Sequence, residues 1–113
     1  MITIEKLKDF GANTMEGLGR CMGNEALYLR LVATIPAEKN FDRLKSSIEN
    51  NNLDEAFEAV HALKGALGNL ALTPMYDMAV KITEPLRNRT EMDYRGMVSE
   101  LLTLRDKLSE LCA

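Results

Sequence analysis

This sequence predicts an all-α fold: an antiparallel up-and-down four-helix bundle with short N-terminal helical segments capping one end. Three observations carry the prediction. Apolar residues recur at three- and four-residue steps through almost the whole chain, the period of one helix face. The stretches so patterned are separated by helix stop and start residues, at Gly11, Gly23-Asn24, Asn50-Asn51-Asn52 and Thr73-Pro74. No run alternates apolar and polar residues as a half-buried strand does. Amphipathic helices joined by short turns in 113 residues make one domain, 1–113, with a single core.

Thr3 caps a first short helix in which Ile4, Leu7 and Phe10 share a face, and Gly11 ends it. A second piece covers about residues 14–22, with Met15, Leu18 and Cys21 or Met22 inward, until Gly23 breaks it. Asn24 caps the next helix. Its stripe runs through Leu27, Leu31, Val32 and Ile35 and resumes after Pro36 with Phe41, Leu44 and Ile48. Pro36 lacks a backbone donor and disfavours helical geometry at Ile35, which predicts a kink or a one-turn interruption. A helix then covers residues 53–71, with Asp54 and Glu55 at the positive end of its dipole. Thr73 is expected to cap a further helix with Pro74 at its first position and Met75, Ala79, Ile82 and Leu86 inward. Pro85 should bend that helix or end it early, and the polar residues 87–89 close it. Thr90 is expected to cap the last helix, in which Tyr94, Met97, Leu101, Leu104, Leu108 and Leu111 repeat at near-heptad spacing.

The helix over 53–71 carries the only histidine, His61. At about 100° per residue, His61, Lys64, Gly65 and Gly68 fall on one side. Leu53, Ala56, Val60, Leu63, Leu67 and Leu70 form an apolar stripe centred roughly 120° away, so the imidazole is expected to face outward. Asp54, Glu58 and Asn69 share the exposed arc, while Ala59, Ala62 and Ala66 take the flank opposite the leucines. Phe57 lies about 40° from His61. It either tucks against the preceding helix or belongs to an apolar rim on which a partner docks. Each interior glycine lowers helix stability by roughly 1 kcal/mol relative to alanine. At positions 65 and 68 that cost leaves the ring open to close approach by another protein, or else permits close helix packing. Lys64 brings a cation within reach of an anion at the ring.

The pattern H-x-x-K-G from His61 to Gly65, followed by small residues, Asn69-Leu70 and a further helix, resembles a histidine-containing phosphotransfer (HPt) domain. The resemblance extends upstream through Glu16-Gly17-Leu18, Arg20, Gly23-Asn24 and Leu27-Tyr28-Leu29. The family usually has Gly after the Asn-Leu pair, where this chain has Ala71, and a glutamate common late in the next helix falls one residue off, at Glu84. Both departures bear on helix-end geometry and leave the surroundings of the histidine intact.

The resemblance implies a phosphorelay carrier in two-component signal transduction. His61 would accept a phosphoryl group from an aspartyl phosphate of a receiver domain through its outer ring nitrogen and pass it to another receiver. Lys64 would be the phosphate neighbour, and Asp54, Phe57, Glu58, Gly65, Gly68 and Asn69 would contact the partner. Expected partners are response-regulator receiver domains and a histidine kinase or hybrid kinase. Mg²⁺ is expected on the receiver, with no cofactor on this chain. The chemistry agrees: neutral imidazole, with an ordinary pKa of about 6.5, is a competent nucleophile near pH 7, and phosphoryl transfer asks for positioning and charge stabilisation more than acid/base groups.

Other classes find little support. The net charge is −3 with no stripe of Lys or Arg, which argues against nucleic acid. MITIEKLKDF has neither the basic start nor the apolar run of a signal peptide, and no stretch approaches the roughly 18 apolar residues of a membrane span, so a cytoplasmic location is expected. Cys21 and Cys112 lack metal or redox spacing and read as small hydrophobes, and the seven Met as core filling. Inward His, Glu or Cys groups at ligand spacing are not found, so no metal site is expected. No glycine-rich phosphate loop is present, and a helical bundle of this length leaves no room for a nucleotide-binding kinase unit, so a non-enzymatic carrier and a monomer are expected. The alternative from another class is a helical adaptor that binds receivers without phosphotransfer.

Overall fold

The computed structural model describes residues 1–113 and contains helices and turns but no strand. Seven α-helices follow in order: α1 (Ile4–Phe10), α2 (Thr14–Arg20), α3 (Glu25–Thr34), α4 (Asn40–Glu49), α5 (Leu53–Asn69), α6 (Thr73–Arg87) and α7 (Arg95–Cys112). A single 3₁₀ turn, Ile35–Ala37, interrupts the run between α3 and α4 at Pro36. The helix expected over Asn24 to Ile48 is therefore two helices on either side of one turn. α5 lies between α4 and α6, and α7 packs on α6 and α4. Leu7, Tyr28, Val32, Phe41, Leu44, Leu63, Leu67, Met75, Ile82, Leu86, Leu101 and Leu108 are among the residues fully enclosed between them.

Short polar side chains start four of the helices. The side-chain oxygens of Thr3, Asn13, Asn24 and Asn52 accept from the backbone N–H groups of Lys6, Glu16, Leu27 and Glu55, at 3.0–3.1 Å. The other ends share a motif too. α2, α4, α5 and α6 each close with a residue at positive φ, namely Met22, Asn51, Ala71 and Arg89, at 52–57°. In each case the next N–H reaches back to a carbonyl five residues earlier: Gly23 to Leu18, Asn52 to Ser47, Leu72 to Leu67 and Thr90 to Pro85. This is the Schellman closure, in which a left-handed residue turns the chain so that the last carbonyls find donors. α1 closes the same way with a glycine, Gly11, whose φ is +108°. Ala71 thus holds the left-handed position that favours glycine, which accounts physically for the glycine usual there in the family it resembles.

The N-terminal helices are fastened to the turn between α5 and α6. The Tyr28 hydroxyl, buried, donates to the Leu70 carbonyl at 2.8 Å, and the Asn13 N–H donates to the Ala71 carbonyl at 2.9 Å. Tyr28 also lies across Gly17, where a Cβ would stand 2.4 Å from its Cζ. That contact sets the phase of α2: Thr14, Gly17 and Cys21 face inward. Met15, expected inward, is 84% exposed, because the inward face was given to residues small enough to admit the tyrosine; of the two alternatives Cys21 and Met22, Cys21 is the one buried. Tyr28, Val32 and Ile35 likewise set the phase of α3, which leaves Leu31 exposed instead of inward.

Three further expectations are corrected. Thr73 does not cap α6: Leu72 precedes the helix, its carbonyl accepts from the Tyr76 N–H, and the Thr73 hydroxyl donates back to the Ala71 carbonyl. Thr90 does not cap α7, which starts five residues later. The Thr90 carbonyl accepts from the Tyr94 hydroxyl, and the Asp93 carboxylate accepts from the Arg95 N–H at 3.0 Å. Ala59, placed on the flank away from the leucines, is fully buried, because α5 is covered on two sides and its enclosed arc is wider than the leucine stripe. Pro85 sits in the last turn of α6, which continues through it to Arg87.

Candidate functional site

His61 stands near the middle of α5, exposed, next to the buried Val60 and two residues from the buried Leu63. The stripe that drives α5 into the core thus turns the imidazole to the surface. One turn earlier Phe57, half-buried, stacks on it: the ring centroids are 5.5 Å apart and the planes 18° from parallel. Such offset stacks are the favoured geometry of aromatic pairs.

Two guanidinium groups lie over Phe57, with Cζ of Arg89 at 4.7 Å and of Arg87 at 5.7 Å from its centroid. Both come from the end of α6, while the Phe57 ring itself packs, half-buried, against the core. Arg89 is fixed at three points. Its Nε donates to the Asp54 carboxylate, and its Nη1 donates to the carbonyls of Leu86 at 2.8 Å and Arg87 at 3.3 Å. Asp54 is thereby an ion-pair partner within the chain as well as an exposed residue of the site. Residues 87–89 were read from sequence only as a polar close to a helix. The contact joins residues 35 positions apart through a left-handed turn at Arg89, and no local pattern announces that.

On the C-terminal side of His61, Lys64 is half-buried one turn on, and with Gly65, Gly68 and Asn69 it forms one wall of an open groove of about 540 Å³. Asn13, Glu16 and Arg20 of the α2 region form another, and Tyr76 and Asp77 of α6 a third. Arg20 and Glu16 pair at 2.9 Å on one wall, while Lys64 of α5 and Asp77 of α6 line the others. The two glycines differ. Nothing lies within 4 Å of a Cβ placed at Gly65, whereas one at Gly68 would be 3.0 Å from Cε1 of Tyr76. Gly65 leaves open space beside the histidine, and Gly68 accommodates an aromatic ring from α6.

Glu58 is exposed and Asn69 ends α5 at the groove. Glu55, one residue from Asp54, pairs with Arg43 of α4; the hydrogen bond from that guanidinium holds the carboxyl below its ordinary range. No group of three or more His, Cys, Asp or Glu side chains is arranged to hold a metal ion. No helix is long and apolar enough to cross a membrane.

Comparison with known proteins agrees with this geometry. Residues 36–113, more than half of the chain and including all of α4 to α7 with His61, match the family model described as Hpt domain. No curated protein and no solved structure matches the chain. An all-helical chain with an exposed histidine on the helix packed between α4 and α6, matched over that whole region, belongs to the Hpt domain family, the histidine phosphocarriers of two-component signalling, which work with receiver domains and kinases.

Proposed function

We propose that this chain, acting as one unit over residues 1–113, is a phosphorelay carrier that takes a phosphoryl group from the aspartyl phosphate of one receiver domain onto His61 and delivers it to another. The observation that carries the reading is the exposed imidazole on α5 with Lys64 one turn away and open space at Gly65. An antiparallel up-and-down arrangement of four helices belongs to the same reading. It is supported by the short turns at 50–52 and 70–72 and by the Arg89 to Asp54 contact, which brings the end of α6 to the start of α5.

In the step proposed, the lone pair of the outer imidazole nitrogen attacks phosphorus as the bond from phosphorus to the aspartyl carboxylate oxygen breaks. The electron pair leaves with that carboxylate, and the other ring nitrogen keeps its proton. Delivery to the next receiver is the reverse exchange. Lys64 offsets charge on the phosphoryl oxygens. The receiver's own carboxylates hold Mg²⁺, and this chain supplies no cofactor and no ATP-dependent step. Asp54, Phe57, Glu58, Gly65, Gly68 and Asn69 border the approach to the ring. A monomer in the cytoplasm fits the role.

The test is incubation with a panel of ³²P-labelled receiver domains. Acid-labile, alkali-stable label on this chain is the expected result. Binding to receivers without any transfer of label would replace the carrier with an adaptor.

A further inference from the structure

We propose that Phe57 is a positioning residue for the phosphoacceptor: its ring, braced by Arg89, sets the orientation in which the His61 imidazole meets phosphorus. The inference rests on the phosphotransfer reading and adds to it the device that aims the nucleophile. An exposed histidine on a helix has more than one χ1 well open to it and a broad χ2, so its nitrogens sample several directions. In-line displacement needs one of them, since reaction proceeds from conformers with the reacting atoms close and aligned.

Within the chain, the His61 ring stacks on Phe57, at 5.5 Å and 18°. The two residues are four apart on α5, the spacing that brings helix side chains together. A flat ring against a flat ring restricts χ2 as a merely apolar neighbour of the same volume would not.

Phe57 is itself restrained. Its inner side packs on the core, and the Arg89 guanidinium sits 4.7 Å from its centroid, within cation–π range. Arg89 has little freedom to leave. Its backbone is the left-handed closing residue of α6, and its side chain is divided between the Asp54 carboxylate and the carbonyl of Leu86. An exposed ion pair such as Arg89 with Asp54 contributes little to stability alone. Its effect here is geometric, since it directs the guanidinium onto the ring. Asp54, Arg89, Phe57 and His61 thus form a row that ties the nucleophile to the far end of another helix.

The test uses the full chain as Phe57→Leu, Phe57→Tyr and Arg89→Gln, with circular dichroism confirming the fold. Two quantities are read: the ring-proton chemical shifts of His61 by NMR, and the transfer rate from one labelled receiver across receiver concentrations. Phe57→Leu is expected to shift the His61 ring protons, through loss of the aromatic ring current, and to lower the maximal transfer rate about five- to tenfold, a larger change than any in half-saturation. Phe57→Tyr, which keeps the ring, should stay within about twofold of the parent, and Arg89→Gln should fall between them. An unchanged maximal rate for Phe57→Leu, a loss confined to half-saturation, or His61 shifts identical in parent and Phe57→Leu would overturn the proposal. A parent that takes no label defeats the phosphotransfer reading itself, and the NMR arm still decides whether the stack exists.

Discussion

His61 owes its accessibility to its neighbours. Val60 and Leu63 are buried, and the residue between them and one turn from Gly65 is left with its ring in solvent. That much was legible in the sequence, because a stripe of leucines at helical spacing fixes the direction of every other residue on the same helix. The row from Asp54 to His61 was not, since it depends on a guanidinium delivered from another helix by a left-handed turn. In the proposed transfer Lys64 would act on phosphoryl oxygens through partly solvated surroundings, so Lys64→Ala should lose roughly 1 to 2 kcal/mol of transition-state stabilisation, about five- to thirtyfold in rate. Stopped reactions with one labelled receiver read that directly. The glycines make a second, separable prediction. Gly65→Gln fills open space, so it should stabilise the helix by up to about 1 kcal/mol in urea titration while slowing transfer. Gly68→Gln must first displace Tyr76, so its gain in stability should be smaller. Equal transfer rates for Gly65→Gln and parent would show that the glycine serves no access.

Helix ends divide into those the sequence announces and those it hides. The Thr3 and Asn24 caps at the starts of α1 and α3 follow from residue type alone; Asn13 and Asn52, which cap α2 and α5 in the same way, were not read as caps. Thr73 and Thr90 mislead because the Thr73 hydroxyl is engaged with the preceding turn and the capping role near α7 falls to Asp93. Three of the left-handed closures are hidden because Met22, Ala71 and Arg89 stand where glycine would be the signal, whereas Asn51 lies in a turn the sequence announces. Met22 is almost wholly exposed, so Met22→Gly relieves the backbone at little cost in packing and should raise stability by about 1 kcal/mol, read as a higher urea midpoint at unchanged slope. The opposite holds at Gly17. A methyl group there meets Tyr28, which is enclosed and hydrogen-bonded to Leu70, so Gly17→Ala should destabilise by about 2 to 3 kcal/mol.

For the whole molecule, the sequence made legible the all-helical class and the inward apolar rows of α5, α6 and α7, because these follow from periodicity. It did not show how α1 to α3 seat on the turn between α5 and α6, since that depends on Tyr28 reaching a carbonyl 42 residues away. The same contacts predict how stability varies with pH. Hydrogen bonds from Arg95 hold the Asp93 carboxyl down to about 2 from 3.8, and Arg43 lowers Glu55. A carboxyl lowered on folding contributes stability that is present above its unfolded value and lost as pH falls through its folded one, so the acid loss should run from about pH 4 towards 2. Burial raises the Tyr28 and Tyr94 hydroxyls, whose contribution is present below 10.0 and lost as pH rises beyond it. Urea midpoints should therefore be flat between about pH 5 and 9, with the acid limb reduced in Asp93→Asn and the alkaline limb reduced in Tyr28→Phe. Carriage of the phosphoryl group by one imidazole on this bundle is open to direct test. Its most direct measurement is time-resolved transfer from one labelled receiver to the parent and to His61→Gln, with circular dichroism as the folding control. Label is expected on the parent and none on a fully helical His61→Gln that still binds the receiver; label on His61→Gln at the parent's rate would show that another residue is the acceptor.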